Sequence, residues 1–119
     1  MDLFYTVRQH VLKELDGMVA AGELPSGLDM TSVAVEPPRD PLHGDMATNA
    51  AMVLSKGAKT NPREIAEKLA NRLSNLDIIK NSQVAGPGFL NLRINIKAWQ
   101  SILNKILELG SAYGRTGLG

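Results

Sequence analysis

The sequence contains no cysteine. That excludes a disulfide scaffold, a thiolate metal site and a cysteine nucleophile. It has only two histidines, His10 and His43. A metal site needs three or four converging ligands, so no metal ligand is expected. No apolar run approaches the ~18 residues that a membrane span requires, and no membrane partner is expected. The start, Met1-Asp2-Leu3, lacks the basic and apolar regions of a signal peptide, which makes the cytoplasm the expected location. Internal repeats and low-complexity tracts are also missing.

Machinery for catalysis is equally sparse. His10 falls beside the apolar stripe of a helix, a common place for a boundary residue. His43 lies in a turn with Asp40 and Asp45, where acids serve capping and local hydrogen bonds. No glycine-rich loop has the spacing of a dinucleotide or triphosphate site. No catalytic residue is therefore expected in this chain.

Net charge is only +1, from 13 basic and 12 acidic residues. Phosphate neutralisation dominates nucleic-acid affinity, so the total alone argues against such a partner. The distribution does not. Residues 1–55 carry three basic and eight acidic residues, whereas residues 56–119 carry ten basic and four acidic ones. From Lys80 to Lys105 there are four basic residues and no acid. Asymmetry of this kind is a hint of a polyanion-facing side.

What is present fits one globular domain. The chain has 119 residues, 44% hydrophobic and 21% charged, and a domain of this size buries roughly 65% of its unfolded surface. Phe4, Val7, Val11, Leu15, Met18 and Val19 recur at helical steps, predicting a helix over 3–20 with Asp2 as its cap. Ser32 to Glu36 reads as a strand, and Asp45 to Asn49 either as its hairpin partner or as the beginning of the next helix. A short helix is predicted from Ala50 to Lys56, ended by Gly57. Asn61-Pro62-Arg63-Glu64 opens another, with Asn61 as cap, Pro62 at the first helical position and Glu64 where a capping-box acid belongs. Ile65, Ala66, Leu69 and Leu73 form its buried stripe. Ile78, Ile79 and Val84 indicate a third strand. In Gly86-Pro87-Gly88, Pro87 fixes φ and Gly88 takes the position that permits φ > 0. A fourth strand, Phe89 to Ile94, follows. Asn95 caps a last helix that Gly110 ends. The order α-β-β-α-β-β-α predicts an α+β fold, a two-layer sandwich with helices on one face of an antiparallel four-stranded sheet. Residues 1–110 form the domain, and the glycine-rich residues 111–119 read as the start of a linker.

Residues on the fourth strand carry the strongest chemical signal. Side chains alternate across a strand, so if Leu90, Leu92 and Ile94 face the core, Phe89, Asn91 and Arg93 share the outer face. That trio offers a ring for stacking, an amide for a base edge and a guanidinium for phosphate, the groups that single-stranded RNA recognition uses. The alternative is structural: Phe89 covers the turn and Arg93 is merely solvated.

Four stretches together resemble a known family. They are Val35-Glu36-Pro37-Pro38-Arg39-Asp40, His43-Gly44-Asp45-Met46-Ala47-Thr48-Asn49, Asn61-Pro62 with Ile65-Ala66, and Val84-Ala85-Gly86-Pro87-Gly88-Phe89-Leu90-Asn91. In this order and spacing they resemble the amino-terminal additional domain of arginyl-tRNA synthetase. Leu109 to Gly114 is similar to the family's junction with its catalytic domain.

The resemblance implies a parent class I enzyme that joins arginine to tRNA(Arg) with ATP and Mg2+, expected to be monomeric. The ATP motifs and arginine pocket would lie in the catalytic domain, a partner within the same chain. This fragment is expected to bind no cofactor and to be inactive alone. In the family this domain contacts the tRNA D-loop through an aromatic and an amide two residues apart, which match Phe89 and Asn91. A further amide used by some members would fall at Ala85 or Gly86, and neither has one. Arg93, Lys80, Lys97 and Lys56 are the candidate phosphate contacts. The rival expectation is a protein-interaction module that docks on the synthetase body or a partner protein.

Overall fold

The structure, a computed structural model, describes residues 3–38, 42 and 44–112, with side chains up to residue 107. Eight elements follow one another: α1 (Leu3–Ala20), β1 (Val35–Glu36), β2 (Met46–Thr48), α2 (Ala50–Ala58), α3 (Pro62–Leu73), β3 (Ile79–Ala85), β4 (Phe89–Ile94) and α4 (Ile96–Ala112). The four strands form one sheet in the order β1-β2-β4-β3. Every neighbouring pair is antiparallel. This is the predicted α+β arrangement.

Period sets which side of each element is buried. In α1, Val7, Val11, Leu15 and Met18 face inward. In α3 the buried stripe is Ile65, Ala66, Leu69, Ala70 and Leu73. Against these helices the sheet presents Met46 and Thr48 from β2 and Leu90, Leu92 and Ile94 from β4. Leu90 and Leu92 are fully buried, so each contributes about 1.5–3 kcal/mol of hydrophobic stabilisation. Arg72 ties α3 to α1: its guanidinium lies 3.0 Å from Glu23 and 3.6 Å from Glu14. Ser82 on β3 donates to the carbonyl of Ala70 at 2.8 Å, fixing α3 over the sheet.

Helix ends follow local chemistry. At the end of α1, Gly22 takes φ +79°. The N–H of Glu23 then reaches the Met18 carbonyl at 2.8 Å, closing the helix with a left-handed glycine. Asn61 caps α3 by accepting from the N–H of Arg63 at 2.8 Å. Asn95 caps α4 by accepting from the N–H of Ala98 at 3.2 Å. The acid of Asp29 accepts from the N–H and Oγ1 of Thr31 at 2.9 and 2.7 Å. The side-chain bond, followed by the backbone bond, holds its pKa below the usual carboxylate value.

Several boundaries differ from the sequence reading. The first strand shrinks to Val35–Glu36 because the N–H of Ala34 donates to the Asn49 side chain at 2.8 Å and so leaves the ladder. Gly57 does not end α2. The helix continues to Ala58, and Lys59 takes the left-handed conformation with φ 53°. Gly57 instead makes room for Leu28, whose Cδ2 would lie 2.8 Å from an added Cβ. α4 also runs through Gly110 to Ala112. In the β3–β4 turn the positive φ is at Gly86, not Gly88. Gly88 is needed for space: a Cβ there would meet Pro62 at 2.8 Å and the Met52 sulfur at 3.2 Å. The cap at Asp2, the turn residues Arg39, Asp40, Pro41 and His43, and residues 113–119 of the expected linker lie outside the described residues.

Candidate nucleic-acid interface

Among the described residues no helix covers the sheet face opposite α1 and α3, and strand register sets its content. One row across the sheet reads Glu36, Ala47, Asn91 and Gln83. To one side Ala85 pairs with Phe89, and to the other Asn81 pairs with Arg93. Ala47 stands between larger neighbours, so its methyl group makes the floor of a cleft of about 410 Å3. Phe89, Asn91, Ala85 and Pro87 line one side, and Ala34, Glu36 and Pro37 the other. The cleft is therefore an apolar hollow with a few polar groups at its edges, the usual make-up of a ligand site.

Phe89 and Asn91 come together here as the strand alternation predicts. Phe89 is 40% exposed, a high value for a large apolar ring. The half-buried Asn91 amide makes no hydrogen bond among the described residues, so both its N–H groups and its carbonyl oxygen remain available. The β3–β4 turn that frames Phe89 is braced from outside the sheet. Arg63 on α3 donates to the Gly86 carbonyl at 2.7 Å.

The cationic residues spread out more than the ring and amide do. Arg93 shares the outer face, but its guanidinium donates to the Leu42 carbonyl and so is engaged within the chain. Beside it, Asp45 accepts from the N–H of Ile94 at 2.8 Å, tying the start of β2 to the end of β4. Lys80 and Lys97 line a second, shallower hollow of about 320 Å3 with Ile94, Asn95 and Ile96. Lys56 occupies the last turn of α2, in the helical layer, and lines neither hollow.

Sequence reasoning missed Glu36, Ala47 and Arg63 as parts of this site. Alternation within β1 and β2 puts Glu36 and Ala47 on the outer face, but only the register places them beside Asn91. Among the described residues no cluster of His, Cys, Asp or Glu could hold a metal ion. No described helix is long and apolar enough to cross a membrane.

The described residues form a helix-backed antiparallel sheet with one ring and one unpartnered amide in a cleft on the face away from α1 and α3. Comparison with known proteins gives the family. Residues 6–94 match the model described as "Arginyl tRNA synthetase N terminal domain", and the chain belongs to that family. An arginine–tRNA ligase of Cereibacter sphaeroides is 57% identical over 119 residues, covering 100% of this chain and 20% of the ligase. One from a Ruegeria species is 55% identical with the same coverage. The chain thus spans about one fifth of the length of these relatives. The fold is also similar to that of the Thermus thermophilus arginyl-tRNA synthetase, with a TM-score of 0.61 and 21% identity over 82% of this chain and 15% of that one.

Proposed function

We propose that this domain recognises the D-loop of tRNA(Arg) for an arginine–tRNA ligase of the cytoplasm. Phe89 stacks on an unpaired base, and Asn91 hydrogen-bonds its edge. Lys80 and Lys97 meet phosphates beyond the end of β4, and Arg93 adds positive charge while bonded to the Leu42 carbonyl. Lys56, set among the helices, contributes at most long-range attraction. What supports the reading is the meeting of an exposed ring and an unpaired amide in one cleft, on the strand that the family resemblance singles out. The parent attaches arginine to tRNA(Arg) with ATP and Mg2+ in a catalytic domain of the same chain, and acts as a monomer. Among the described residues, the only charged one lining the cleft is the acid Glu36, which does not favour a triphosphate.

Stacking one base is worth about 1–3 kcal/mol. At ~1.4 kcal/mol per decade, Phe89→Ala in the ligase lowers aminoacylation efficiency about 5- to 150-fold. Unchanged kinetics with tRNA(Arg) would remove the stacking role.

A second reading, docking on the synthetase body, draws on α4. This helix lies beyond the matched family region. Trp99 and Ile102 pack on the core, while Ile96 and Leu107 are 54% and 56% exposed. Salt separates the readings. Affinity for tRNA falls steeply as salt rises, and an apolar contact does not weaken in this way.

A further inference from the structure

We infer that Arg63 is a positioning residue for tRNA binding: with Pro62 it clamps the Gly86-Pro87-Gly88 turn and so fixes the Phe89 ring before a base arrives. The inference rests on the stacking role proposed for Phe89 and adds to it the part of the fold that holds the ring. Phe89 is the first residue of β4 and pairs with Ala85, the last of β3. Beyond that pair lies the turn, so the ladder restrains Phe89 from one side only. Leu90 is locked in the core, but the Phe89 ring stands exposed.

The first turn of α3 supplies the restraint from the other side. The Arg63 guanidinium donates to the Gly86 carbonyl at 2.7 Å, across 23 residues of sequence. Pro62 lies against the far end of the same turn, where a Cβ on Gly88 would meet the Pro62 Cβ at 2.8 Å and its carbonyl carbon at 3.1 Å. Two consecutive helix residues thus hold the two glycines that flank Pro87. Asn61 sets them both, because its side chain caps α3 by accepting from the Arg63 N–H. Gly86 adopts φ +57°, and glycine leaves such a conformation more readily than other residues do. The bond to its carbonyl therefore acts where the turn is most free. Gly86 and Pro87 line the cleft beside Phe89, so a shift of this turn moves the ring and the cleft wall together.

The effect of Arg63 is indirect. Its guanidinium is engaged by the chain, and Arg63 does not line the cleft. A ring already held in its binding geometry loses less freedom when a base stacks on it. A residue that acts in this way changes affinity only while the ring is there to be held. A phosphate contact would act whether or not the ring were present. Arg63 is exposed, so removing its donors leaves the core packing intact.

The test is a double-mutant cycle in the ligase that carries this domain, read as the dissociation constant for tRNA(Arg). Arg63→Met keeps the aliphatic stem and removes the donors. It is expected to weaken binding about 3- to 10-fold with Phe89 present, and by less than about twofold in the Phe89→Ala background. The slope of log affinity against log salt stays at the wild-type value, because no phosphate contact is lost. An equal loss in both backgrounds, or a slope reduced by about one, would overturn the positioning role and make Arg63 a contact in its own right. Wild-type affinity in Arg63→Met, with Phe89→Ala still weak, would overturn the clamp and leave stacking standing. Wild-type affinity in Phe89→Ala would remove the stacking role and the clamp with it. An Arg63→Met ligase that melts earlier than the wild type would also overturn the assignment, since the arginine would then serve the fold and not the ring.

Discussion

Ala47→Leu should separate binding from folding. Ala47 is half-buried on the outer face of β2, while its neighbours Met46 and Thr48 point into the core. A leucine side chain at position 47 therefore grows into the 410 Å3 cleft and not into the packed interior. It occupies the floor between Phe89 and Glu36, where a stacked base would lie. Loss of one stacked base costs about 1–3 kcal/mol. At ~1.4 kcal/mol per decade, tRNA(Arg) affinity falls about 5- to 150-fold. Stability should barely change, within about 0.5 kcal/mol, because no core contact or cap is touched. The assay pairs fluorescence anisotropy of labelled tRNA(Arg), titrated with the ligase that carries this domain, with urea unfolding of the domain. Full affinity in a folded Ala47→Leu protein would refute the idea that the cleft is the binding site. Loss of affinity together with unfolding would refute the view that the outer face is independent of the core.

Other substitutions test the fold that supports the cleft. Leu92→Ala empties a fully buried position and should cost about 2–5 kcal/mol in urea unfolding. Gly88→Ala places a methyl 2.8 Å from Pro62 and should cost about 1–3 kcal/mol through overpacking. Gly86→Ala meets nothing within 4 Å but keeps φ +57°, so its cost is conformational, about 1–2 kcal/mol; the same unfolding series compares the two. For Asp29, the depressed pKa means that its contribution is fully present above the unfolded value and fades as pH falls through the lower folded value. Its carboxyl carbon should therefore titrate by NMR below 3.8, and an unshifted midpoint would contradict the bonds from Thr31.

Much of this arrangement was legible in residue pattern, for physical reasons. The two-residue period of β4 forces Leu90, Leu92 and Ile94 to one side and Phe89, Asn91 and Arg93 to the other, whatever the neighbours do. The stripes of α1 and α3, and the Asn61-Pro62 start, are likewise local. What escaped was set by contacts distant in sequence. Asn49 shortens β1 by taking the Ala34 N–H, from 15 residues away. The need for Gly88 depends on Pro62 and Met52. Arg93 reads as a free guanidinium until the Leu42 carbonyl lies against it. The cleft itself exists only because β2 and β4, far apart in the chain, pair in a register that sets Ala47 beside Asn91.

The central claim is that the open sheet face, and not the helical layer, meets tRNA. Amide shifts of the isotopically labelled domain on adding tRNA(Arg) test it most directly. The account predicts the largest shifts at Glu36, Ala47, Phe89 and Asn91, with smaller ones at Lys80 and Lys97 that fade as salt rises. Shifts confined to α1, α3 or the exposed flank of α4, with the cleft silent, would contradict it.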